Sequence, residues 1–477
     1  MTIAEATPSL TLVDHSDRAF FGHPKGLGYL AFTEAWERFS YYGMQTLLVL
    51  YMVQYLLLPG HIERVALFEA FHNLPLYRGL EGQPLASAIF GTYTASVYLT
   101  PILGGLLADR LLGKRRTVLL GACIMALGHF LMAFEVAFLF ALLCLVIGCG
   151  CLKGNIASQV GALYKGEDLR RADAFQIFYL GINAGVIISP LIVGTLGQSP
   201  NFGWHWGFGA AGVGMLISLA IYIAGQKYLP ADHFEPQGGK NRVRPKVAIT
   251  RSDWLAILAI VLLIPVMAFA IVPNNQLFNV YLTWGDAHFD LKQFGDILLF
   301  GKPFYSSYLM TIDSVVSVAF LVLVALFYRW YGKRWREPDE LGKIIIGSIF
   351  SIGGMLCLYM AAATTPAGQK IGMFWPMLFE LLNSIAFSHM LPVSLALFAR
   401  LAPKAINATV LGLYYLAFFA ANAIVGWVGG FYTTLPTTTF WLIHAGFAAG
   451  TGAVFLLFKL LLAKRLMGAP APASAMA

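Results

Sequence analysis

Apolar residues run along this chain in stretches of roughly 20 or more, the length a helix needs to cross a bilayer. Such stretches lie at about 29–56, 84–108, 116–134, 137–164, 171–197 and 203–228, then at about 254–284, 303–328, 342–364, 371–399, 405–430 and 437–458. Between the two sets of six lies residues 229–253, too short and too polar to hold a further pair of crossings. The pattern predicts an all-α integral membrane protein of twelve transmembrane helices in two six-helix bundles, at 29–228 and 254–458. A short segment, 1–28, precedes them, a tail, 459–477, follows, and 229–253 links them.

Composition agrees, since 58% of the 477 residues are hydrophobic and 12% charged, outside the range of soluble domains. Charge placement then orients the helices, because Lys and Arg collect in short cytoplasmic loops. With both termini in the cytoplasm, the outer loops carry five of the 32 Lys and Arg (Arg64, Arg78, Lys292, Lys302 and Lys370) and the inner segments carry 25. The net charge of +8 follows from this bias and needs no nucleic-acid partner. The first thirty residues are interrupted by Asp14, Asp17 and Arg18 and lack the order of a signal peptide. Cys123, Cys144, Cys149, Cys151 and Cys357 all sit in apolar stretches without ligand spacing, so neither a disulfide framework nor a metal site is expected.

Two cations remain, Arg38 and Lys153, and both fall inside predicted helices. A basic residue at mid-membrane costs about 2.5–3.5 kcal/mol on insertion scales, so each should face a cavity or a partner. The acids placed well inside helices are Glu34, Glu37, Asp313 and Glu380. Glu34 and Arg38 are spaced i and i+4, as are Glu37 and Tyr41, which puts two carboxylates, a guanidinium and phenols on one broad helical face. Two carboxylates around one Arg in a low dielectric favour a shared proton. Such a site could serve proton coupling, with Arg38 changing partner, or could be a static ion-pair network that fixes helix packing. No HExxH, Gly-rich phosphate loop or Ser/His/Asp grouping supports an enzyme.

These residues resemble a known family. Glu34-x-x-Glu37-Arg38-Phe39-x-Tyr41-Tyr42-Gly43 matches the first-helix motif of the proton-coupled oligopeptide transporters, the POT or PTR family of the major facilitator superfamily. Gly105-Leu-Leu-Ala108-Asp109-Arg110-Leu-Leu-Gly113-Lys114-Arg115-Arg116 resembles the superfamily loop between helices two and three. Gly148-x-Gly150-x-x-Lys153-x-x-x-Ser158-x-x-Gly161-x-x-Tyr164 resembles the helix-four pattern. Phe175-x-x-Phe178-Tyr179-x-x-Ile182-Asn183-x-Gly185-x-x-x-Ser189-Pro190 resembles the helix-five signature. The resemblance implies proton coupling at Glu34, Glu37 and Arg38, with Lys153 as the cation for a peptide carboxylate. Tyr41, Tyr42 and Tyr98 would line the pocket, Asn183 would bond the peptide backbone, and Asp109, Arg110 and Arg116 would form a cytoplasmic gate.

The second half departs from the family. Ser306-Ser-Tyr-Leu-Met-Thr311-Ile312-Asp313 resembles its helix-eight segment, with Asp313 in place of an Asn that meets the peptide amine. Aligning Pro392, Ala402-Pro403 and Gly412-Leu413-Tyr414 puts Phe387 where the family has its amine-binding Glu, while Glu380 lies seven residues earlier on nearly the same face. Either Asp313 or Glu380 would receive the amine. Gln45 replaces a second helix-one Arg, and Pro273-Asn274-Asn275-Gln276-Leu-Phe-Asn279 lacks the acid usual in helix seven. Gly91 stands where animal relatives carry a His. His129, His389 and His444 lie in helices as packing or relay groups, and Pro190, Pro273 and Pro392 as bends or simple packing.

The expected activity is import of di- and tripeptides with protons by alternating access, in a bacterial inner membrane, driven by the proton gradient without a cofactor. Alternatives are a related transporter of nitrate, a modified amino acid or a drug, and a membrane sensor that binds peptides without moving them. Membrane lipid is the surrounding partner; the sequence leaves the oligomeric state open.

Overall fold

The computed structural model describes residues 17–165, 168–232, 250–295, 303–403 and 410–461. Most of the predicted linker 229–253, the start of the 1–28 segment, most of the 459–477 tail and Lys302 lie outside them. The long helices are α1 (Lys25–Tyr51), α2 (Gly82–Leu107), α3 (Lys114–Leu131), α4 (Phe138–Leu152), α5 (Asn155–Ala162), α6 (Arg170–Gln198) and α7 (Trp204–Gly225). They continue as α8 (Arg251–Asn275), α9 (Val280–His288), α10 (Tyr308–Tyr331), α11 (Glu340–Thr364), α12 (Phe374–Leu401), α13 (Val410–Gly429) and α14 (Thr437–Leu461).

Ten helical segments among the described residues are long and apolar enough to cross a membrane. Helices α1 and α3 occupy the other two predicted positions. Charge sets them apart: α1 carries Glu34, Glu37 and Arg38 inside its length, and α3 opens with Lys114-Arg115-Arg116. Helices suit this environment because they satisfy their own backbone where no water is available.

Two predicted spans are interrupted. The fourth is α4 followed by α5, with Lys153 at ψ 127° and Gly154 at φ +86°, a left-handed value that glycine adopts without a Cβ clash. The seventh is α8 followed by α9, joined by a tight turn at Gln276–Phe278 and by Asn279 at φ −116°, ψ −107°. Pro273 lies just before that break, whereas Pro190 and Pro392 sit within unbroken helices. Hydropathy reads through both breaks because the residues on either side stay apolar. The loop after α1 also holds a one-turn helix, Phe68–His72, that hydropathy does not predict.

Contacts divide the chain into two units. The first comprises residues 1–44 and 100–240, in which α3 packs on α4 and α7, and α6 on α7. The second comprises residues 45–99 and 241–477, in which α11 packs on α12 and α14, α8 on α13, and α10 on α12.

Small residues make the closest approaches, as expected where lipid supplies no hydrophobic drive for helix association. In the first unit Gly104 of α2 lies against the backbone of Gly150 and Cys151 in α4. In the second, Gly91 of α2 lies against the backbone of Gly426 in α13. Gly104→Leu is expected to push α2 off α4 and cost at least about 1–3 kcal/mol, the usual penalty for overpacking. Thermal melting and size-exclusion profiles of the purified variant check this, and an unchanged melting temperature would contradict the close approach.

Candidate functional site

In the first unit, three charges are held at one level of α1. Arg38 is 4% exposed, Glu34 6% and Glu37 0%. The Arg38 Nε–H donates to Glu34 Oε1 at 2.9 Å, across one helical turn. The same nitrogen lies 2.8 Å from Glu37 Oε2, but off the line of a hydrogen bond, and neither oxygen of Glu37 has a hydrogen-bond donor among the described residues. The two acids are therefore unequal. Glu34 has both charge and hydrogen bond from Arg38, whereas Glu37 has the charge alone in a fully buried position, where a carboxylate without donors is costly.

Helix α6 seals the other side of α1. Ser189 Oγ donates to the Phe39 carbonyl, and Gly185 leaves room for the α1 backbone at Ala35 and Phe39. From α7, Ser218 Oγ donates to the Thr33 carbonyl at 2.7 Å, and Ser40 Oγ of α1 donates to the Ala211 carbonyl.

Tyr41 ties this cluster to the broken span. The Arg38 guanidinium carbon is 5.8 Å from the Tyr41 ring centroid and Lys153 Nζ is 5.6 Å from it, so one aromatic ring meets both intramembrane cations. Tyr42 stands edge-on to Tyr41 at 5.2 Å. The break after α4 places Lys153 at a helix carboxyl end, where the free carbonyl dipoles favour a cation. On α6, Asn183 Nδ2 donates to the Tyr179 carbonyl at 2.8 Å.

The second unit holds the other acids. Glu380 of α12 is 1% exposed and accepts from the Tyr281 hydroxyl of α9 at 2.7 Å. Asp313 of α10 is partly buried and accepts from Asn383 Nδ2 of α12 at 3.4 Å. Tyr98 stacks on Phe418 at 4.8 Å in the same unit. The structure thus brings together the two acids between which the sequence left the amine site open. Sequence reasoning missed Tyr281 and Asn383. Asn383 carried a signal, being one turn from Glu380 on the same face, but nothing in the sequence pointed to Tyr281, which α9 carries beyond the break in the seventh span.

The amide-rich segment has a structural use. Asn279 Oδ1 accepts from Ser87 Oγ at 3.0 Å, Asn275 Nδ2 donates to Asn422 Oδ1 at 3.2 Å, and Gln276 Nε2 lies 3.1 Å from His444 Nε2. His389 bonds the Tyr328 hydroxyl at 3.1 Å, and both ring nitrogens of His129 are buried without a hydrogen-bond partner among the described residues. At the loop between α2 and α3, Asp109, Arg110 and Arg116 are exposed and make no ion pair among the described residues. Arg115 makes the contact there: its backbone N–H donates to Asp232 Oδ1 at 3.0 Å and its guanidinium to the Leu229 carbonyl at 3.1 Å. Arg115 and Asp232, with Arg116, Leu119 and Gln226, line a cavity of about 440 Å³. No group of three or more His, Cys, Asp or Glu able to hold a metal occurs among the described residues.

Arg38→Gln should leave two buried carboxylates without their cation and destabilise the protein by about 3–5 kcal/mol. Adding Glu34→Gln and Glu37→Gln should restore most of that loss. Thermal unfolding of the single and triple variants measures the coupling, and equal melting temperatures for the two would refute it.

Comparisons with known proteins agree with this architecture. Residues 115–252 match the sequence profile described as the POT family. The chain is 30% identical over 498 residues to the uncharacterized transporter YclF of Bacillus subtilis, covering 94% of this chain and 96% of that protein. It is 29% identical to the peptide transporter YePEPT of Yersinia enterocolitica, covering 87% and 89% respectively. Among solved structures, a peptide transporter POT in complex with alafosfalin, 27% identical, superposes with a TM-score of 0.78 over 93% of this chain and 96% of its own.

Proposed function

Since the chain belongs to the POT family of multi-pass membrane transporters, we propose that it is a proton-coupled symporter of di- and tripeptides that works by alternating access in a bacterial plasma membrane. It draws on the proton gradient and needs no cofactor. The observation that carries this reading is the inequality of the two acids on α1. Glu37 is fully buried, touches the Arg38 charge and has no hydrogen-bond donor, so it is the carboxyl best placed to gain and lose a proton. A proton bound there neutralises one of the two partners of Arg38 and frees the guanidinium to lean wholly on Glu34. A charge moving down the membrane potential contributes about 2.3 kcal/mol per 100 mV, sufficient to concentrate substrate with one proton per peptide.

The rest of the assignment follows substrate chemistry. Every dipeptide carries one carboxylate, one ammonium and one amide, while its side chains vary. Lys153, at the break between α4 and α5, takes the carboxylate; the Asp313 and Glu380 pair takes the ammonium; Asn183 offers its amide carbonyl to the peptide backbone. Tyr41, Tyr42 and Tyr98 supply aromatic walls that tolerate different side chains. Asp109, Arg110 and Arg116 are assigned to the cytoplasmic gate, together with Arg115.

A second reading keeps the family and changes the substrate. Asp313 adds an acid where the family resemblance expects Asn, so a small non-peptide amine would suit the second unit as well.

Purified protein in liposomes should accumulate labelled dialanine only when an inward proton gradient or inside-negative potential is imposed, with competition by other di- and tripeptides. Failure to accumulate any peptide by folded protein would favour the non-peptide reading. Glu37→Gln is expected to abolish concentrative uptake while counterflow exchange persists; normal accumulation by this variant would place the coupling proton elsewhere. Lys153→Ala should weaken dialanine binding by 10-fold or more, the loss of one charge-assisted contact of about 1.5–3 kcal/mol. Equilibrium binding decides this, and unchanged affinity would remove Lys153 from the site.

A further inference from the structure

The acids of the second unit, Asp313 and Glu380, pair with no cation among the described residues. Asn383, one turn from Glu380 on α12, reaches Asp313 Oδ1 on α10 at 3.4 Å, which sets the two carboxyls at neighbouring positions where α10 packs on α12. Glu380 Oε1 accepts from Tyr281, while Oε2 is buried without a donor. Asn383 donates to Asp313 from the same face of α12. Tyr281 is the third titratable group at this point, and among the described residues no Lys, Arg or His bonds or pairs with either acid.

Two ionised carboxylates in contact repel each other, and a hydrogen bond between two carboxyls exists only when one of them carries a proton. The burial of Glu380 strengthens the repulsion, since a low dielectric screens it less than water does. Without a ligand, then, the pair holds one proton and one negative charge. An incoming ammonium changes the balance, because it offers donors to both acids and a full positive charge between them.

We propose that Asp313 and Glu380 form an exchange site, in which the ammonium of a bound peptide displaces the proton that the empty pair shares. The proposal rests on the peptide reading above and deepens it. The step balances: a pair carrying one proton plus R–NH3+ becomes two carboxylates holding R–NH3+, and one H+ leaves to water. The charge of the site is −1 before and after, so the ammonium enters without an added electrostatic cost. A ligand lacking the ammonium has nothing to exchange and leaves the proton in place. The proton released here is distinct from the one assigned to Glu37, so binding and coupling use different acids.

Infrared difference spectroscopy of the full-length protein in lipid discs tests this, with dialanine and N-acetyl-dialanine as probes. Dialanine should bleach a protonated-carboxyl C=O band, and N-acetyl-dialanine should leave that band unchanged. In Asp313→Asn, and independently in Glu380→Gln, the bleach should be lost. Calorimetry in two buffers of different ionisation heat should count one proton fewer released per dialanine for either variant than for the unmodified protein. If dialanine binds the unmodified protein without the bleach, or if the bleach survives both substitutions, the exchange site is refuted while the peptide reading stands. If dialanine does not bind the unmodified protein at all, both are refuted.

Discussion

An arginine buried beside two carboxylates is the constraint around which the first unit is organised. Its charge cannot be solvated at that depth, so Glu34 and Glu37 must both approach it. Three charges on one helical face then require neighbours that exclude water without adding bulk. Helix α6 meets that need with Gly185 and Ser189, and α7 with Ser218, each packing against or bonding the α1 backbone. The cluster therefore engages residues on three helices, although the buried charges among them all lie on α1.

The interruptions in the fourth and seventh spans belong to the same logic. Backbone that leaves helical geometry inside a membrane protein must find partners in protein or face a cavity. The first break exposes carbonyls beside Lys153, a cation that such dipoles stabilise. The second surrounds its turn with neutral amides, Asn275, Gln276 and Asn279, that bond Asn422, His444 and Ser87. Beyond the second break, α9 carries Tyr281, whose hydroxyl donates to Glu380.

The legibility of the fold in the sequence followed from how each feature is encoded. Hydropathy is a local signal averaged over a span, so the position of every long helix could be read, including α1 and α3, whose charges lower their apolar score. The i, i+4 spacing of Glu34 and Arg38 is equally local, and the ion pair forms as the spacing predicts. Partners between helices carry no such periodicity. Tyr281 with Glu380 and Arg115 with Asp232 are separated by long stretches of chain, and only packing shows them. The helix breaks were hidden for a third reason: Gly154 and Asn279 act through single backbone angles, which a window of about 20 residues does not register.

The contact between Gly91 and Gly426 has a consequence for how this chain can change over generations. Neither residue has space for a Cβ while the other helix keeps its present line. A titratable side chain at position 91, such as the histidine of animal relatives, is thus not reachable by one substitution in this background. Helix α13 would have to shift to admit it. The two glycines hold each other in place sterically, and a new acid or base meets less resistance at a position such as 313 on α10, where the side chain is only partly buried.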